Sequence, residues 1–145
     1  LEERYDKIKN HEYWPNVEFI NGFKKEQLKE FFSRATISNT LRDFGKLDGS
    51  LGVIKIFESM EAGIPVLFTD VPTYRAIVEK YNCGLCANPN DSGSIENALQ
   101  YLVNHKKEAY LMGQNGRRAV LEEFNWNKQA EYYLLIINKI INKKS

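Results

Sequence analysis

Only two cysteines and two histidines occur among the 145 residues, which leaves little material for a metal centre or a disulfide framework. The cysteines, Cys83 and Cys86, form a C-x-x-C. A zinc site needs further ligands, however, and a thioredoxin-type pair opens a helix after a strand. "CGLCANP" reads instead as a strand entered through Gly84, so both thiols are expected to be buried and without chemistry. His11 and His105 stand far apart with no carboxylate pattern beside them, as ordinary surface or packing histidines do, and no metal site is expected. Net charge is scarce too: 20 basic and 19 acidic residues leave +1, no field for nucleic acid or an anionic membrane as the main partner. No apolar run approaches the ~20 residues that span a bilayer, and the opening "LEERYDKIKN" lacks the basic-then-apolar layout of a signal peptide. The expectation is a soluble, cytoplasmic protein. The charged opening without an initiator Met reads as the middle of a longer chain, so an excised fragment is expected.

What is present is enough apolar material for one core: 43% of residues are hydrophobic, which at this length predicts a single domain over residues 1–145. Short apolar runs alternate with amphipathic ones, the pattern of an α/β domain with parallel strands. "VEFI" (Val17 to Ile20) reads as the first strand and "ATIS" (Ala35 to Ser38) as the second. Between them Leu28, Phe31 and Phe32 form one stripe of a surface helix. The polar, glycine-bearing stretch from Asn39 to Ser50 is long for a strand-to-helix loop, and long loops at strand C-termini tend to carry function. A helix follows, with Asp48 or Ser50 as N-cap and Gly63 as its stop. Val53, Ile56, Phe57 and Met60 recur at helical spacing on its packed face. "PVLFT" (Pro65 to Thr69) is apolar throughout, as a strand covered on both faces is. "PTYRAIVEKYN" is a helix with Pro72 in its first turn, "GLCA" is the last strand, and from Ser92 onward the chain is helical.

The helix opened by "DGSLG" offers free backbone N–H groups and the positive end of its dipole, and Gly49 and Gly52 let a phosphate approach closely. At 100° per residue Leu51, Lys55 and Glu58 fall within about 60° of one another, away from the apolar stripe. Glu58 lies ~10 Å along the axis from Leu51. A phosphate at the helix start and a carboxylate two turns on therefore face one cleft. An ionised carboxylate only accepts hydrogen bonds, which suits a vicinal diol such as that of ribose, and Lys55 can neutralise phosphate charge. The same spacing also fits a solvated i,i+3 ion pair worth a few tenths of a kcal/mol, and spacing alone leaves both readings open.

"FESMEAGIPVLFTDVPTYRAIV" resembles the "LEAMACGxPVIxS…xxEIV" signature of the glycosyl transferases group 1 family, nucleotide-sugar enzymes of the GT-B fold. The likeness extends in order through "NVEFINGFKKEQLKEFFSRATISN", "GLCANPNDSGSIENAL" and "NGRRAVLEEFNWNKQAEYYLLII", covering about residues 16 to 141. It implies a Rossmann-like parallel sheet of about four strands flanked by helices, with a helical C-terminus. The chain would be the C-terminal, donor-binding half of such an enzyme, without the first strands of that half and without the acceptor domain. In the family's strand order the two missing strands sit between "VEFI" and "ATIS". Either these two meet directly, or an exposed edge recruits a second chain as a dimer.

The resemblance also assigns roles. Glu58 would hold the ribose of the donor nucleotide, and the backbone N–H groups of Leu51, Gly52 and Val53, with Lys55, would bind its diphosphate. The family's other donor-site Glu, a contact to the sugar, aligns with Ser50, with Asp48 as a nearby substitute. Some members carry a version similar to "GSLGVIKIFE" without that first acid. The implied function is transfer of a sugar from a UDP- or GDP-type donor to a sugar or glycoconjugate acceptor held by the missing domain. No metal or other cofactor is expected, because helix N–H groups and cations stabilise the leaving diphosphate. The implied setting is polysaccharide or glycoconjugate biosynthesis, with the full-length protein peripheral at the membrane. No catalytic residue is assigned within this chain, and the chain alone is expected not to turn over. The alternatives are a non-catalytic scaffold that kept the fold and, more remotely, a phosphoacceptor receiver domain with Asp70 as acceptor. The latter lacks the acidic pair such a domain needs after its first strand, where "INGFKK" is basic.

Overall fold

The computed structural model describes residues 8–20, 22, 24–43 and 54–142. Among these, a single 3₁₀ turn at Trp14–Asn16 precedes a second at Lys25–Gln27, which leads into helix α1 (Leu28–Arg34). Then come β1 (Ser38–Thr40), α2 (Ile54–Glu61), β2 (Val66–Thr69), α3 (Pro72–Tyr81) and β3 (Gly84–Ala87), followed by α4 (Ser92–Asn104), α5 (Lys106–Glu122) and α6 (Trp126–Asn142). The strands form one parallel sheet in the order β1-β2-β3. Ser38 is in register with Val66, and Val66 with Gly84.

The parallel α/β architecture expected from the sequence is therefore present, with three strands rather than four among the described residues. Val17–Ile20 pairs with nothing in the sheet, and Val17, Phe19 and Ile20 are half exposed. Its β-forming composition is not enough without a neighbouring strand to complete the ladder. The second strand also starts later than its apolar run suggests, at Ser38 rather than Ala35, because pairing with Val66–Phe68 sets its limits.

The core is built on both faces of β2, whose four residues are all buried. Val66 and Phe68 point to one side, where Ile56 and Met60 of α2, Tyr74 and Val78 of α3, Cys83 and Ala119 meet them. Leu67 points to the other, against Ala98 and Leu102 of α4 and Ala109 and Met112 of α5. Alternation along the strand thus divides the core in two. Gly63 ends the α2 turn at φ +74°, where a side chain would be strained. Gly113 of α5 lies so close to it that a Cβ there would stand 2.1 Å from the Gly63 carbonyl oxygen. That close seat holds α5 against the C-terminal end of α2. Helix α4 opens as its capping pattern predicts: the Asp91 carboxylate accepts from the N–H groups of Gly93 (2.9 Å) and Ser94 (3.2 Å). Helix α6 buries none of its residues, and Trp126, Tyr133, Leu134, Ile140 and Ile141 are exposed. No described helix is long and apolar enough to cross a membrane.

Candidate functional site

Because β1 and β2 are parallel, α2 between them runs the opposite way, so its N-terminal end lies at the C-terminal ends of the strands. The helix is amphipathic at the spacing read from the sequence: Ile56 and Met60 are buried, Phe57 is half buried, and Lys55 and Glu58 fall off that stripe. Those two residues line a cavity of about 460 Å³ between α1, β1 and α2, together with Leu28, Phe32, Ser38, Asn39, Thr40 and Ser59. Glu58 is half buried and Lys55 exposed. Among the described residues no salt bridge joins them, so the two charges face a shared space rather than each other. A cavity wall with one cation and one anion can take a ligand that carries both a negative group and hydroxyls.

The other sequence-predicted site residues, Asp48, Ser50, Leu51, Gly52 and Val53, lie outside the described residues. So does the proposed N-cap. What the structure adds is the way α2 is fixed to the sheet. Ser59, 1% exposed, stands 2.6 Å from Ser38, hydroxyl to hydroxyl, and also donates to the Lys55 carbonyl at 2.9 Å. With its one proton on Lys55, Ser59 accepts from Ser38. Both serines line the same cavity as the two charged residues. Sequence reasoning missed this pair, although "FESMEAG" has serine where the family signature has alanine, on the buried side of the helix. The loop leaving β1 is pinned in a similar way: the buried Thr69 hydroxyl accepts from the Arg42 N–H at 2.7 Å and donates to the Arg42 carbonyl at 2.9 Å.

Further from this cavity, several groups that could carry chemistry are engaged structurally. Asp70, at the end of β2, accepts from Arg75 at 2.8 and 2.6 Å, and its hydrogen bond and charge raise the affinity of that guanidinium for its proton. Cys83 and Cys86 are both free thiols. Burial pushes the first up to about 11 and, with the charge of Asp70 adding to it, the second up to about 12. Neither supplies a thiolate at neutral pH. His105 stacks on Tyr101 at 4.2 Å between ring centroids. A second cavity of about 510 Å³ lies below the opposite ends of β1 and β2. Its lining, including Ile37, Ile64, Leu102 and Tyr110, has Lys106 as its one charge and none of the sequence-predicted residues.

These features can be set beside known proteins. The fold matches sucrose-phosphate synthase from Thermosynechococcus elongatus with a TM-score of 0.75 at 23% identity, over 97% of this chain and 34% of that one. This chain thus spans about a third of that protein's structure, and at such identity the likeness speaks for the fold alone. Among curated proteins none matches. The family model described as glycosyl transferases group 1 matches residues 1–119, which include α2 with Lys55 and Glu58. On that match the chain belongs to the glycosyl transferases group 1 family.

Proposed function

We propose that this chain is the C-terminal, donor-binding part of a glycosyltransferase that moves a sugar from a UDP- or GDP-type donor to a sugar or glycoconjugate acceptor. The observation that carries the reading is the placement of Lys55 and Glu58 on one cavity wall with no ion pair between them. A solvated surface pair, the competing interpretation of their spacing, would have brought the two together. Glu58 then accepts from the ribose hydroxyls, and Lys55 neutralises diphosphate charge together with the amides of Leu51, Gly52 and Val53. The sugar contact made by the family's other Glu falls in this reading to Ser50 or, as a substitute acid, to Asp48. Family membership supports sugar transfer in general. The acceptor, a second domain to hold it, and a dimer through the outer edge of β1 belong to the same proposal.

Calorimetric titration of the full-length protein with UDP and with GDP tests it. One of the two nucleotides is expected to bind, and Glu58→Ala to weaken that binding at least about tenfold, or ~1.4 kcal/mol. If neither binds, or if the substitution changes nothing, the donor-site reading fails and a scaffold role takes its place.

A further inference from the structure

The Ser38–Ser59 contact fixes how β1 and α2 are aligned, and the alignment can be followed upward. Side chains two apart on a strand share a face and lie ~6.7 Å apart. Four residues of helix rise ~6 Å. With Ser38 level with Ser59 and the two elements antiparallel, Thr40 is level with Lys55, on the same face of β1 and in the same cavity wall. Two of the three β1 side chains are engaged: Ser38 with Ser59 at 2.6 Å, and Asn39 by accepting from the Leu41 N–H at 2.8 Å. Thr40 differs. Its Oγ1 has less than 1 Å² of exposed surface and, among the described residues, no hydrogen-bond partner. An enclosed hydroxyl without a partner is costly, and native structures seldom leave one so without a reason.

Since Thr40 lines the cavity while its oxygen is enclosed, the surface it shows the cavity belongs to its other atoms. Threonine carries a methyl and a hydroxyl on one carbon, so a turn of ~120° about χ1, from one staggered well to the next, carries the hydroxyl to the place the methyl held and the methyl to that of the Cβ hydrogen. We propose that Thr40 is a ligand-binding residue of this site, its hydroxyl turning into the cavity to hydrogen-bond a ribosyl hydroxyl of the nucleotide that Glu58 holds. This rests on the donor-site reading above. It adds a group of different capacity: Glu58 only accepts and Lys55 only donates, whereas Thr40 does both.

Thr40→Val keeps the shape and removes the hydroxyl. The full-length protein is titrated with UDP and GDP, and its thermal unfolding is followed without nucleotide. Thr40→Val is expected to weaken binding of the accepted nucleotide about fivefold, equivalent to ~1 kcal/mol, while Tm stays equal or rises because an unpaired buried polar atom is gone. Thr40→Ser is expected to keep the affinity within about twofold. Unchanged affinity in Thr40→Val, with binding lost in Glu58→Ala, overturns the Thr40 assignment and leaves the donor-site reading standing. A lower Tm for Thr40→Val, at any affinity, also overturns it, because a partnered structural hydroxyl gives that sign. Failure of both nucleotides to bind the unsubstituted protein overturns both proposals together.

Discussion

Strand β2 is apolar but for Thr69 at its end, is buried at all four positions, and has a strand on each side; its neighbour β1 is the polar tripeptide Ser38–Thr40, partly exposed and, among the described residues, paired on one side only. The same kind of backbone serves two ends. Where the sheet is packed by α2 and α3 on one face and α4 and α5 on the other, side chains are chosen for volume. Where the sheet ends at β1, hydroxyls and an amide take their place, and the cavity with Lys55 and Glu58 opens there. The contrast teaches that adjacent strands can differ in what they offer, β2 side chains to the core and β1 side chains to a cavity, with the Ser38–Ser59 contact joining β1 to α2.

Substitutions can break that contrast. The largest effect is expected for Phe68→Ala in β2: the ring is fully buried and packs on Tyr74 at 5.7 Å. Its loss should cost ~3–5 kcal/mol, read as the shift of the urea unfolding midpoint. Ser59→Ala, at the joint, removes one buried hydroxyl and should cost ~1 kcal/mol. A cost equal to that of Phe68→Ala would mean that β1 is as integral to the core as β2.

The smallest effect belongs to a surface clasp on the β2–β3 side. Glu123, after α5, accepts from Lys80 at 2.8 Å and from Tyr81 at 2.6 Å. These bonds, that of Lys80 first, hold its carboxyl below the ordinary glutamate value and raise the Lys80 ammonium. A depressed carboxylate stabilises the fold fully above its unfolded value and loses that contribution as pH falls through the folded one. The small Tm difference between the protein and Glu123→Gln is therefore expected to be constant above pH 4.5 and to close below it. Thermal unfolding across that range, with a gap that persists in acid, would assign the effect to packing rather than charge.

Much of the core side was legible in the residues. Ile56, Phe57 and Met60 recur at the helical period, Pro72 opens α3, "PVLFT" is apolar from Pro65 to Phe68, and Gly63 stops α2 with the positive φ that glycine accepts. Lys55 and Glu58 were legible as one polar face. The segment Val17–Ile20 misled because its composition favours a strand, while a strand also requires a partner that local sequence does not provide. The limits of β1 misled for the same reason. Thr40 left no trace at all, since a lone threonine at a strand end has no periodicity and no motif to mark it.

By itself, then, the sequence determined the parallel α/β class, the family, and the helix that carries Lys55 and Glu58. Each of these follows from periodic side-chain patterns and ordered motifs along the chain. The number of strands, the space between the two charges, the Ser38–Ser59 joint and the enclosed hydroxyl of Thr40 were decided only in three dimensions. They depend on groups far apart in the chain, such as Ser38 and Ser59, 21 residues apart. Hydrogen bonding between such groups requires a register that only the packed sheet and helix supply.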